Sequence, residues 1–273
     1  SKQKASTPSL SGSATKLVDV EDPTLKHACE RVLLSLKSRH VQYAMDGSRN
    51  IWLTKAPEAC RGVGISLHRK LEEILEVADR FPGRVAQKYV ENSKLWDRRK
   101  FDLRCWVLLV GGGSCDFDAY IYEPLYARLC AKPWSLDDHL LLDEKRHLSN
   151  LAVNKGSADN LLGTQSDLET MVDFEKVRRG IRNIVTALAR TAHQFASTRS
   201  RSFEFLGVDI ILDEDAKPWL LECNLSPALA RRNDAQSKLI DSALRGCIKR
   251  TIDRWCPETA PPPRDDGWRH LLT

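Results

Sequence analysis

Three oxygen-bearing side chains near the C-terminal end, Asp209, Glu222 and Asn224, have the types and the spacing to hold a hard divalent cation. They lie in SFEFLGVDIILDEDAKPWLLECNLSP (202–227), where two β-rich runs, 207–212 and 217–224, flank the polar Asp213-Glu214-Asp215-Ala216. This pattern predicts an antiparallel hairpin. With the turn centred on Glu214-Asp215, facing residue numbers sum to about 429, and side chains alternate faces along each strand. Asp209, Glu222 and Asn224 then share one face. Val208, Ile210, Leu212, Trp219, Leu221 and Cys223 share the other, which is almost wholly apolar. Two carboxylates and an amide oxygen on rigid strands suit Mg²⁺, which takes few protein carboxylates and completes its shell with water and phosphate. On this pattern alone, an edge hairpin whose polar side meets water reads at least as well.

Other groups of the same kind occur upstream. In KFDLRCWVLLV (100–110), Lys100, Asp102 and Arg104 alternate with Phe101, Leu103 and Cys105, so one strand face is charged before the run turns continuously apolar. A salt-bridge ladder and an anion site both explain that face. Lys55 ends a short strand (51–55) and is followed at once by APEACRGVG (56–64), whose two glycines, Gly62 and Gly64, let backbone N–H groups turn toward an anion. The loop is not of the GxxxxGK[ST] type, and a plain turn between strands explains it equally. Arg128 emerges near the end of a strand. A lone histidine is usually structural, but His147 stands among Arg146, Asn150 and Lys155, which makes a binding loop more credible.

The elements that must position these groups read as follows. Asp22-Pro23 starts a helix over 24–38, with Leu25, Cys29, Val32, Leu33 and Leu36 at helical spacing. Leu71, Ile74, Leu75 and Ala78 give one face of a short helix closed by Pro82-Gly83. Strands are expected at 85–90, 100–110, 119–122 and 125–129, with a polar hinge at 91–99. A long helix over 168–195 carries Phe174, Val177, Ile181, Ile184, Val185, Leu188, Ala192 and Phe195 at intervals of three or four and covers the sheet. Ile240, Leu244, Cys247, Ile248 and Ile252 outline a last helix. Residues 1–20 and 256–273 read as tails, the latter containing Pro261-Pro262-Pro263.

Composition sets outer bounds. The chain has 273 residues, 42% hydrophobic and 29% charged, enough for one large or two modest domains. No apolar run approaches the length of a membrane span, and the N-terminus lacks the apolar core of a secretory signal. The chain begins without Met, so an internal fragment is expected. None of the eight cysteines forms a CxxC pair, which points to reduced, mostly buried thiols in a reducing compartment and away from structural zinc. The net charge of +5 favours acidic partners. Aromatic residues are not interleaved with the basic clusters, so nucleic acid is not expected as a partner, nor is a membrane.

Seven stretches, taken together and in order, resemble the tubulin tyrosine ligase-like family, a branch of the ATP-grasp ligases. They are NIWLTK (50–55), RGVGI (61–65), QKYVE (87–91), KFDLR (100–104), HLSNLAVNK (147–155), FEFLGVDIILD (203–213) and KPWLLECNLSP (217–227). The resemblance implies an α+β ATP-grasp fold with largely antiparallel sheets. A middle lobe within 21–92 and a C-terminal lobe at 93–255 would clamp ATP, and the family's N-terminal lobe is mostly missing. It implies a phosphate lysine at Lys55 and a phosphate loop at Arg61, Gly62, Val63 and Gly64. Gln87, Lys88 and Tyr89 would hold adenine. Lys100, Asp102 and Arg104 would surround the γ-phosphate and the incoming substrates, with Asp102 and Asn224 also touching the nucleotide. Arg128, His147, Ser149 and Lys155 would meet the amino acid or the acceptor peptide. Asp209, Glu222 and Asn224 would hold Mg²⁺.

The activity implied is ATP-dependent addition of a free amino acid to glutamate side chains of tubulin C-terminal tails through an acyl-phosphate. Glutamate is favoured, glycine is the alternative, and a non-catalytic nucleotide- or microtubule-binding module is the competing class. A monomer working in the cytoplasm on the cytoskeleton, including the cilium, is expected. Three positions depart from the usual pattern: Val63 stands where many members carry Arg or Lys, Ser149 replaces Thr, and Cys223 replaces Val or Ile on the buried face.

Overall fold

The alternation of charged and apolar residues in 100–110 does form a strand, and that strand becomes the spine of the molecule. The computed structural model describes residues 23–40, 47–56, 62, 64–111, 117–157, 161–195, 201–256 and 266–272. Residues 1–44 and 45–273 form separate compact units. The first contains helix α1 (Pro23–Arg39), with Pro in its first turn and Lys37 and Arg39 in its last, where each suits a helix end. Its apolar stripe is not buried: Val32, Leu33, Leu34 and Leu36 are all exposed.

In the second unit, a small antiparallel sheet has the order β2-β1-β3, from β1 (Trp52–Lys55), β2 (Ser66–His68) and β3 (Val85–Lys88). Strand β2 is too short for periodicity to reveal. Helix α2 (Leu71–Arg80) follows it. None of its residues is buried, and Leu71 and Leu75 of its apolar face are exposed.

The large sheet has the order β10-β6-β5-β8-β9, from β5 (Arg99–Gly111), β6 (Phe117–Leu129), β8 (Phe203–Leu212), β9 (Pro218–Asn224) and β10 (Trp268–Leu272). Strand β4 (Leu95–Trp96) adds to β5, and β7 (Leu162–Gly163) adds to β6. All the pairings among its described strands are antiparallel. The expected hinge thus contains a strand, and Asp97 and Arg98 take positive φ (49° and 62°) in the turn between β4 and β5. The two strands expected at 119–122 and 125–129 are one strand. The register slips where Cys105 stands against Glu123-Pro124-Leu125, a bulge that absorbs a proline. There the outer partner of β6 also changes from β10 to β7.

Each face of the sheet has its own helix. On one, Phe101, Leu103 and Val107 of β5 and Val208 and Ile210 of β8 pack on Val177, Ile181 and Val185 of helix α5 (Phe174–Phe195). The long helix expected from 168 is in fact two. Helix α4 (Gln165–Glu169) is closed at its start by a reciprocal Thr164–Asp167 capping box, and Asp173 accepts from the Lys176 N–H (3.1 Å) to open α5. On the other face, Trp106, Leu108 and Tyr122 pack on Ile240 and Cys247 of helix α6 (Asp234–Trp255) and on Trp268. The expected C-terminal tail therefore includes a structural strand. Trp268 is buried, its indole N–H donates to the Ala243 carbonyl (3.1 Å), and Arg250 pairs with Asp266 beside it.

The two sheets are tied through the hairpin turn. Ser93 bridges to Asp213, the Lys94 N–H bonds the Leu212 carbonyl (2.9 Å), and the Glu214 N–H bonds the Asn92 carbonyl (2.8 Å). No helix among the described residues is long and apolar enough to cross a membrane.

Candidate active site

The face of β5 that α6 covers over Trp106 and Leu108 continues, uncovered by that helix, through Arg104, Asp102 and Lys100. Strands on both sides add to it. Asp102 stands opposite Arg128 of β6, and Arg104 stands opposite Asp209 of β8. Asp209 in turn faces Glu222 of β9. That pairing is displaced by two residues from the one a symmetrical turn predicts. Ile210 faces Leu220, so Leu221 is the extra residue of a bulge. The bulge keeps Asp209, Glu222 and Asn224 together, as the alternation implied, but it brings Leu221 to their side as well. It also overturns the expectation for Cys223. Strand β9 is the edge of the sheet, and Cys223 is exposed, not part of a buried face. Of the other described thiols, Cys105, Cys130 and Cys247 are buried, and Cys29 and Cys256 are exposed. Cys60 and Cys115 lie outside the described residues.

One cavity of about 110 Å³ gathers most of the expected residues. Lys55, Gly62 and Gln87 reach it from the small sheet and its loop. Lys100, Asp102, Arg128, Asp209, Glu222 and Asn224 reach it from the large one. His147, at the end of the short helix α3 (Glu144–His147), and Ser149 and Asn150 just after it close the cavity. Leu53, Ile65 and Leu221 supply apolar wall. Gly62 has φ +83°, and an added Cβ would stand 2.8 Å from Val153 and 3.1 Å from the Asn150 side chain, so glycine alone lets this loop come so close. Arg61 and Val63 lie outside the described residues. Gly64 and the exposed Lys155 are described but do not line the cavity.

The charges are arranged in two classes. Arg104, Asp209, Arg128 and Asp102 form a buried chain. Arg104 Nε donates to Asp209 (2.5 Å), Arg128 Nη2 to Asp209 (2.8 Å) and Arg128 Nε to Asp102 (2.6 Å). The Ser149 hydroxyl donates to the other Asp102 oxygen. Two cations and two anions cancel, which is the condition for burying ions at tolerable cost. Burial works against the charged form of Asp209, but Arg128 and Arg104 outweigh it and hold its pKa low. Burial likewise opposes the charge on Arg128, and the two aspartates more than offset it. Arg104 was expected beside the γ-phosphate. It is instead turned into Asp209 and does not line the cavity.

Lys100 belongs to the second class. Among the described residues it has no salt-bridge partner. It donates to the His147 carbonyl (3.0 Å) and lies 4.2 Å from the centre of the Tyr89 ring. Burial lowers its pKa, with Cys130 and Asp102 opposing. With Lys55, it leaves the cavity two cations not committed to a carboxylate, which is the requirement for an anionic ligand.

Lys88 and Tyr89, expected to hold adenine, buttress the site from behind. Lys88 is bound to Glu91 (2.7 Å), and the Tyr89 hydroxyl meets His147 Nδ1 (3.1 Å) and accepts from Trp134 Nε1 (3.3 Å). Sequence reasoning passed over Glu91, although it ends one of the motifs quoted above. It is almost fully buried and accepts the N–H groups of Arg49 and Ile51 (both 2.8 Å) as well as Lys88, so it anchors the start of β1. His147 is kept neutral: burial pushes its pKa down to about 4, against the pull of its bond to the Leu140 carbonyl.

The donor set fits a hard cation, though sparsely. Among the described residues no group of three or more His, Cys, Asp or Glu is gathered for a metal. Here there are two carboxylates and an amide, of the oxygen-rich and incomplete kind that Mg²⁺ accepts. Among the described residues Glu222 accepts only from Asn224 Nδ2 (3.1 Å), so its remaining oxygen capacity is open to the cavity. Turning the Asn224 amide over, an assignment decided by hydrogen bonding alone, presents its oxygen to the same point.

A sequence profile described as the tubulin-tyrosine ligase family matches residues 21–263. The chain belongs to that family. It is 31% identical to tubulin glycylase 3E of Tetrahymena thermophila over 226 residues, 76% of this chain and 16% of the relative. It is 30% identical to human tubulin monoglycylase TTLL3 over 256 residues, 84% of this chain and 32% of the relative. Human protein monoglycylase TTLL8 is 29% identical over 270 residues, 86% of this chain and 31% of the relative. The chain thus spans between a sixth and a third of the length of these relatives. Membership in the family accounts for the mixed α/β architecture with mostly antiparallel sheets. The expectation that glutamate is the amino acid added finds no support in these relatives, whose names are those of glycylases.

Proposed function

We propose that the chain is the nucleotide-binding and catalytic portion of an ATP-dependent ligase that joins glycine to glutamate side chains of tubulin C-terminal tails. The observation that carries this reading is the meeting of Lys55, Lys100, the Asp102–Arg128 pair, Asp209, Glu222 and Asn224 around one cavity between two sheets. The choice of glycine follows the named activity of the relatives. Such a protein works on the cytoskeleton, cilia included.

The chemistry needs placement and charge more than a protein nucleophile. A glutamate carboxylate oxygen of the acceptor attacks the γ-phosphorus of ATP, the bond to the ADP oxygen breaks, and an acyl-phosphate forms. The glycine nitrogen then attacks the acyl carbon, phosphate leaves, and the nitrogen gives up a proton as the amide forms. Lys55 and Lys100 offset the negative charge that gathers on the transferred phosphoryl group. Arg128, fixed by two aspartates, holds the wall against which the incoming amino acid is oriented. Asp102, Asp209 and Glu222 are the carboxylates that line the cavity. Glu222, Asn224 and the edge of Asp209 would hold Mg²⁺, which when bound neutralises phosphate oxygens.

The test is mass spectrometry of tubulin tails after the full-length protein has acted on microtubules with Mg·ATP and equal glycine and glutamate. Glycine should be added, and Glu222→Gln should abolish addition without changing the melting temperature by more than a degree or two. Glutamate addition would restore the other donor. Nucleotide binding with no mass added would mark a binding module.

A further inference from the structure

A second cavity, of about 190 Å³, lies at the start of α6, outside the reaction centre. Leu125 and Tyr126 of β6, Leu162 of β7, Gln165 of α4 and Gln236 and Leu239 of α6 are among its walls. It adjoins the first cavity. Tyr126 and Arg128 are two residues apart on β6, so they project from the same face about 7 Å from each other. Leu162, which lines the second cavity, is the register partner of Arg128, which lines the first.

Three polar atoms on its walls have no partner among the described residues. Tyr126 is only 7% exposed, and nothing bonds its hydroxyl. Gln236 is 5% exposed. Its amide oxygen accepts from the Arg232 N–H (3.1 Å), and its amide nitrogen donates to nothing. The Gln165 amide nitrogen donates to Glu169 (2.8 Å), while its oxygen is buried and orphaned. The Gln165 oxygen is fully buried, and buried polar groups are seldom left in this state, because each forfeits its bonds to water. One free donor, one free acceptor and one hydroxyl that can act as either call for a ligand offering both functions. The remaining wall is largely apolar and has no Lys or Arg side chain, so a phosphate or a bare carboxylate is a poor match. A peptide main chain, with N–H and C=O on a compact body, is a good one.

We propose that this cavity holds the main chain of the acceptor polypeptide about two residues from the glutamate being modified, a proposal that rests on the ligase reading above. Tyr126 and Gln236 select and align an extended chain, while Arg128 and its neighbours handle the reacting groups.

The experiment measures the affinity of the full-length protein for a fluorescent peptide of tubulin-tail sequence by anisotropy. A fluorescent ATP analogue and thermal melting serve as controls. Tyr126→Phe removes the free hydroxyl and Gln236→Leu the whole amide, including its bond to the Arg232 N–H, with little change in bulk. The double variant should bind peptide about tenfold more weakly, the loss of two modest hydrogen bonds, with nucleotide affinity unchanged. A peptide carrying an ester in place of the amide two residues from the modified glutamate should bind the wild type several-fold more weakly and the double variant no more weakly than the parent peptide does. Equal peptide affinity in wild type and double variant, or an equal ester penalty in both, would overturn the subsite and leave the ligase reading standing. Absence of both peptide binding and amino-acid addition in the wild type would overturn the ligase reading itself.

Discussion

Asp209, a member of the proposed cation site, also ties the fold together. It is buried, sits opposite Glu222, and is held by two arginines that also fix the neighbouring strands. Removing one arginine leaves a charge with half its compensation. Arg104→Ala should therefore cost about 3–5 kcal/mol, read as a lowered denaturation midpoint. His147 gives a pH signature. Its folded pKa is about 4, below that of an unfolded histidine, so between those values the unfolded chain binds more protons than the folded one. Its contribution is complete above the unfolded value near 6.5 and is lost as pH falls toward 4. His147→Gln should flatten that decline, by at most about 1.4 kcal/mol per pH unit, in melts recorded from pH 7 to pH 4.

At the scale of elements, the same glycine serves two neighbours. A Cβ on Gly207 would stand 2.6 Å from Pro227 and 3.0 Å from Arg104 Nη1, so the loop after β9 and the buried ion chain both press on that bare backbone. Gly207→Ala should cost about 1–3 kcal/mol and lower activity by displacing Arg104, measured by melting and by amino-acid incorporation. Asn233 accepts from the Gln236 N–H (2.8 Å) at the head of α6, and Asn233→Ala should cost about 1 kcal/mol in the same melts. The strands and helices that carry the site were legible because each is long and strongly patterned: 100–110, the 207–224 hairpin, and α5. The failures have physical causes. Alternation along 217–224 cannot show a bulge, so it puts Leu221 on the wrong side, and it cannot show that β9 is a sheet edge, so Cys223 reads as buried. Strands of two or three residues, β2, β4 and β7, carry no period. Residues 266–272 follow a proline run and read as tail, although Trp268 closes a core with Tyr122 and Phe205. The motifs named the members of the cavity. What they could not show is which cations are already spent on carboxylates, since that depends on strands far apart in the chain.

For the whole molecule, charge sets the approach of partners. A net charge of +5 favours encounter with acidic chains, and that long-range part is screened by salt. Co-sedimentation of the full-length protein with microtubules should weaken on going from low to physiological ionic strength, and subtilisin-trimmed microtubules lacking their acidic tails should show a much smaller dependence.

Cys223 sits between Glu222 and Asn224 in sequence and emerges on the opposite side of β9, in the open. That strand therefore carries its own reporter. A small thiol-reactive dye at this position would sense each nucleotide arriving on the far side without standing in its way, and turnover could be watched in real time from the back of the blade.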